Sequence, residues 1–145
     1  MPRPCQRDGQ FSADRVAAAV LAHYAAAEAD EAYAWAYSCL SSLEYDDPEM
    51  AWDLTLRMIR LVSTTQIAGV VAAGSLEQLL ADHPDAFVPR AETLARTSAR
   101  FRFMLSGVWP QKRQDSPGWQ RILAARAPGP DMDAGDPLPP NDLPD

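Results

Sequence analysis

Four side chains of this chain are ordinary transition-metal ligands: Cys5, His23, Cys39 and His83. None is spaced as C-x-x-C or H-x-x-x-H, and a metal centre needs three or four ligands that converge. No metal or other cofactor is therefore expected. His83 precedes a proline at a helix end, where it meets free carbonyls and the negative dipole end. The carboxylate pairs Asp30-Glu31 and Asp46-Asp47 could suggest acid–base catalysis. Neighbouring helical positions point about 100° apart, however, so neither pair converges on one substrate atom. Their expected work is capping and solvating helix ends. Ser38, Ser41, Ser42, Ser63 and Ser75 lack a G-x-S-x-G setting, and Cys39 lacks a signalled histidine partner. Ala72-Ala-Gly-Ser75 is a helix break, with no phosphate-cradling pattern around it. No catalytic residue is expected, and the chain reads as a non-enzyme.

What remains is charge and rings. The net charge is −7, unevenly spread. Residues 16–56 hold eight acids and no base, among them Glu28, Asp30, Glu44, Asp46, Asp47 and Asp53. Residues 90–126 hold eight bases against two acids, and 127–145 hold five acids and no base. Such asymmetry bears on partners and solubility, not on fold. Within the acidic part stand Tyr33, Trp35, Tyr37 and Tyr45. Carboxylates that steer a basic partner, beside rings that anchor it, make a protein-recognition surface. Tyr33, Trp35, Tyr37, Glu44, Tyr45, Asp46 and Asp47 are the expected partner-binding residues. The alternative is a nucleic-acid-associated regulator. There Arg96, Arg100 and Arg102 would meet phosphates while Phe101 and Phe103 stack on bases. Against it, the whole chain is acidic, and Arg outnumbers Lys twelve to one, as a GC-rich genome alone would produce.

The elements that must position these residues read as helices throughout. Ser12 caps a helix over 13–28 with Val16, Val20, Leu21 and Tyr24 inward. Asp30 opens a second, to Leu43, with rings on more than one side. Asp47-Pro48-Glu49 starts a third, to Val62: a cap, a first-turn proline, and an acid at the positive helix end. Its inner line is Ala51, Leu54, Met58 and Leu61. Ser63 and Ser75 match the capping-box pattern. Gly74 is expected to end a short helix, 65–73, in left-handed geometry. Further helices follow over 76–82, over 86–97 with Asp85 as cap, after Ser98 to Ser106, and over 117–126 after Ser116. Phe101, Met104, Leu105, Val108 and Trp109 are core candidates. Strand-like alternation is absent, so the fold class is all-α, a bundle of seven or eight short helices.

The stretch from Asp47 to Trp109 carries recurring strings. They are Asp47-Pro48-Glu49 with Ala51-Trp52, Ala73-Gly-Ser-Leu-Glu-Gln-Leu-Leu80, Ala99-Arg-Phe-Arg102 and Gly107-Val-Trp109. This resembles a family of small bacterial proteins catalogued only as a domain of unknown function. Ser75 and Pro89 depart from the family pattern at helix starts. The resemblance implies a helical fold and carries over no activity.

Domain organisation reads as a flexible leader (1–11), one helical domain (12–126) and a disordered acidic, Pro-rich tail (127–145). The apolar run after Arg15 is broken by His23 and preceded by acids, so it reads as a helix and not an export signal. With Cys5 in a mobile leader and Cys39 in a helix, no structural disulfide is expected. Reduced thiols fit a cytoplasmic location. The functional expectation is an acidic interaction module, an immunity-type or anti-defence inhibitor of a basic toxin, nuclease or defence component.

Overall fold

The computed structural model describes residues 1–26 and 31–145. Glu28 and Asp30, with the expected opening of the second helix, lie outside the described residues. In chain order the helices are α1 (Ala13–Ala25), α2 (Ala34–Asp46), α3 (Pro48–Leu61), α4 (Thr65–Val71), α5 (Glu77–Asp82), α6 (Pro84–Thr97), α7 (Ala99–Ser106) and α8 (Pro117–Ala125). A 3-10 turn, Glu31–Tyr33, leads into α2. Among the described residues there is no β-strand, and no helix is long and apolar enough to cross a membrane.

Local chemistry sets most of the boundaries. Ser12, Asp47, Ser98 and Ser116 each accept the backbone N–H three residues on. That satisfies one of the donors every helix start leaves open. Pro48, Pro84 and Pro117 occupy first-turn positions, where the missing N–H costs nothing. Other starts differ from the sequence reading. Thr64, not Ser63, caps α4. The chain enters α6 through His83 with no side-chain cap, so Asp85 lies inside the first turn. Nor does α4 end at a left-handed glycine. The chain continues through a π-type turn, Ala72–Leu76, with Gly74 at φ −94°, ψ −110°. Ser75 is no cap either; its hydroxyl meets that of Thr55 in a buried hydrogen bond of 2.9 Å.

The core gathers one side of each helix: Val16 and Val20 from α1, Leu40 and Leu43 from α2, Leu54 and Met58 from α3. Phe101, Met104 and Leu105 of α7 complete it. Trp52 stacks on Phe87 with centroids 4.8 Å apart, joining α3 to α6. Arg90 of α6 grips Glu49 at the start of α3 through two hydrogen bonds, 2.6 and 2.8 Å. Leu61, expected inside, is exposed.

Both ends of the chain correct the sequence reading. Cys5 is buried and disulfide-bonded to Cys39 of α2, across a separation of 34 residues. The leader is thus stapled to the bundle by a link of a kind that contributes about 2–4 kcal/mol. The tail is docked. Leu143 is buried, and Leu138 and Met132 pack on the core. Asp142 accepts Ser98 Oγ (2.5 Å) and the free N–H groups of Ala99 (2.8 Å) and Arg100 (3.3 Å), capping α7 from 43 residues away. Burial alone raises the Asp142 carboxyl pKa, yet these donors hold it below the usual range. Arg100, itself buried, donates to the carbonyls of Ile59, Val62 and Pro139. Arg60 holds the Pro144 carbonyl. Gly107 leaves room for this strap, since a Cβ there would stand 2.6 Å from Met132 Sδ.

Candidate functional site

Helix α2 buries Ala36, Cys39, Leu40 and Leu43 and turns its other sides outward. The rings and acids expected to form one surface fall into three groups. Trp35 lies half-buried on one flank beneath two cations: the Arg7 and Arg15 guanidinium carbons stand 5.4 and 5.6 Å from its ring centroid. Tyr33 lines the same shallow hollow, walled by Ala18, Ala19 and Ala22 of α1. The setting of Trp35 is therefore basic, and its face is already occupied by a cation–π pair. Asp46 and Asp47 form the second group. Asp47 caps α3. Asp46 lies nine residues beyond Tyr37, about half a turn round the helix from it.

The third group does assemble. Tyr37 and Glu44 are seven residues apart, about two helical turns, so they line up along one strip of α2 with Tyr45 beside them. Tyr37 stacks on His23 with centroids 5.5 Å apart and meets the edge of Tyr24 at 6.3 Å. Tyr37 is 47% exposed and Tyr45 77%. Between them Glu44 is half-buried. Burial, and secondarily the nearby charge of Asp82, raise its pKa to about 7. Burial, with the charges of Tyr37 and Glu44 behind it, pushes the Tyr24 phenol up to about 12, so it stays protonated. Among the described residues no cation forms an ion pair with Glu44 or Asp46, whereas Glu49, Asp53, Asp14 and Glu92 are all paired with arginines.

The basic segment does not assemble. Arg100 is buried and committed to three carbonyls, while Phe101 and Phe103 are sealed in the core. Arg102 donates to the Ala95 carbonyl at 2.7 Å. Only Arg96 of the three stands fully exposed. The five residues expected to share a phosphate-and-base surface are therefore not brought together on one exposed face.

A family model described as Family of unknown function (DUF6869) matches residues 23–129. The chain belongs to that family. No curated protein and no solved structure matches it. The DUF6869 region begins at His23, against Tyr37, and takes in all of α2 to α8, so the Tyr37–Glu44–Tyr45 strip lies inside it. Most of α1 and the strap that caps α7 lie outside it.

One feature of the DUF6869 region escaped the sequence reading. Trp109, expected in the core, is 66% exposed. Its backbone N–H donates to Glu77 Oε1 at 2.7 Å, which pins the segment after α7 with the indole outward, over a cleft between α5, α6 and α8. An exposed tryptophan in an apolar string has no sequence signature that separates it from a buried one. Among the described residues no group of three or more His, Cys, Asp or Glu comes together as a metal site.

Proposed function

We propose that this protein is a non-enzymatic interaction module that grips a basic protein partner through Tyr37, Glu44 and Tyr45 of α2, with Asp82 of α5 beside them. The observation that carries the reading is Glu44. A carboxylate kept half-buried, raised to about 7 and beside a second acid is poorly served by its own chain. An arriving Lys or Arg relieves both the burial cost and the repulsion. The flanking exposed tyrosines offer large, stiff anchors at small entropic cost. The narrower form of the reading is an inhibitor that covers the functional surface of a toxin, nuclease or defence component. The small size and net charge of −7 support it, since long-range attraction speeds capture of a basic target. The Cys5–Cys39 disulfide supports work in a compartment where disulfides persist, and so weighs against the cytoplasm.

The test is comparative capture from the native cell extract, with wild-type protein against Glu44→Lys and Tyr37→Ala/Tyr45→Ala, at two salt concentrations. A basic protein retained by wild type, released by salt and lost with each variant is expected. Identical retention by all three would remove α2 as the docking surface.

A further inference from the structure

A second site lies away from α2. The cleft under Trp109 has a volume of about 310 Å³, the lower end of what small ligands occupy. Its walls are apolar: Val88 of α6, Val108, and Trp119 and Ile122 of α8, with the Trp109 indole as an open flap. The flap is held in place. Glu77 is buried at the margin of the cleft, and both its oxygens are satisfied, by Trp109 N–H and by Gln111 Nε2, each at 2.7 Å. Gln111 itself and the following Lys112 take φ of 48° and 68°, a left-handed conformation that side chains other than glycine disfavour. Strain of this kind persists where surrounding contacts over-determine it, and it concentrates at binding sites.

The polar end of the cleft is cationic. Arg113 lines it, in a long ion pair with Asp82 at 3.9 Å, beyond hydrogen-bond distance. The N-terminal ends of α6 and α8 meet there. A Cβ at Gly118 would lie 3.5 Å from Pro84, and the Gly118 N–H has no acceptor among the described residues. Both helix ends carry partial positive charge. Of the acids lining the cleft, Glu77 is satisfied by its two donors, while Asp85 has no ion pair within 4 Å among the described residues and feels only the more distant charge of Arg121, which binds Glu92.

We propose that this cleft binds a small organic anion with a flat apolar body, of the aromatic carboxylate class. The ring lies between the Trp109 and Trp119 side of the cleft and Val88. The carboxylate reaches the Arg113 guanidinium, whose fork matches it in shape and charge. This site is separate from the α2 strip but adjoins it through the 3.9 Å Asp82–Arg113 contact, so the α2 reading is tested by its own variants, Glu44→Lys and Tyr37→Ala/Tyr45→Ala, which leave Arg113 in place.

The probe pair is 2-naphthoate and its neutral counterpart 2-naphthamide, followed by amide chemical-shift titration of the full chain. Saturable shifts at residues 108–119 are expected, with naphthoate about tenfold tighter than naphthamide. Trp109→Ala changes an exposed residue and should weaken naphthoate roughly tenfold without altering the fold. Arg113→Gln should remove the preference for naphthoate while naphthamide still binds. No saturable shift at several millimolar, affinity unchanged by Trp109→Ala, or equal affinity for the two probes would each overturn the proposal. So would a Trp109-dependent dimer in sedimentation, because a second copy would then be the occupant.

Discussion

At the scale of single residues, Glu44 separates this chain from a merely acidic one. Its pKa, about 7 against an ordinary 4.5, means that the folded chain holds this proton more tightly than the unfolded chain. This group weakens the fold progressively as pH rises from about 4.5 through about 7, and the loss levels off above that. Glu44→Gln should abolish that decline. Thermal melts of wild type and variant should nearly coincide at acid pH, with the variant melting higher above neutrality. Parallel melting curves across that range would show that Glu44 is an ordinary surface carboxylate. Part of this was legible in the sequence. The spacing of Tyr37, Glu44 and Tyr45 places them near one another on a helix. That Trp35 is covered by Arg7 and Arg15 was not legible, because Arg7 arrives through the folded leader and Arg15 from the packed α1. Trp109 was misread for a related reason: burial of one indole depends on where a distant acid, Glu77, holds the backbone.

At the scale of elements, helix starts were readable because capping is local. Ser12, Asp47, Ser98 and Ser116 do what residue type and position imply. The misread elements depend on partners far along the chain. Composition gives 127–145 too little apolar surface for a core of its own. It is silent on whether a finished bundle offers a place to dock, and here α7 offers open N–H groups, Arg100 a donor to the Pro139 carbonyl and Arg60 donors to that of Pro144. Each proline also limits the freedom the free tail loses on docking. Asp142 is the pivotal contact. Asp142→Ala should cost about 1–2 kcal/mol in denaturant unfolding, the usual worth of a helix cap, and should speed amide exchange in the tail. Because the Asp142 pKa is depressed, its contribution is present above the ordinary carboxyl range and lost as pH falls through the lower folded value. The variant should therefore lose less stability than wild type on acidification. An unchanged midpoint with a protected tail would mean that Leu143 and Arg60 hold the strap without it.

At the scale of the whole molecule, the charge segregation seen in the sequence is answered in the fold where Glu49 of the acidic part meets Arg90 of the basic part. The tail meets Arg60 and Arg100 through the backbone carbonyls of Pro144 and Pro139. On α2, Glu44 stands half-buried beside Asp82 with no ion pair of its own among the described residues, and the Asp82–Arg113 contact is long. The most direct test is photo-crosslinking in native cells, with Tyr45 replaced by a photoreactive phenylalanine analogue and Val70, exposed on α4, replaced likewise as the control. One basic protein is expected to be crosslinked from position 45, absent from position 70, and lost when Glu44→Lys is added. No adduct at position 45, an acidic adduct, or the same adduct from both positions would contradict docking through α2.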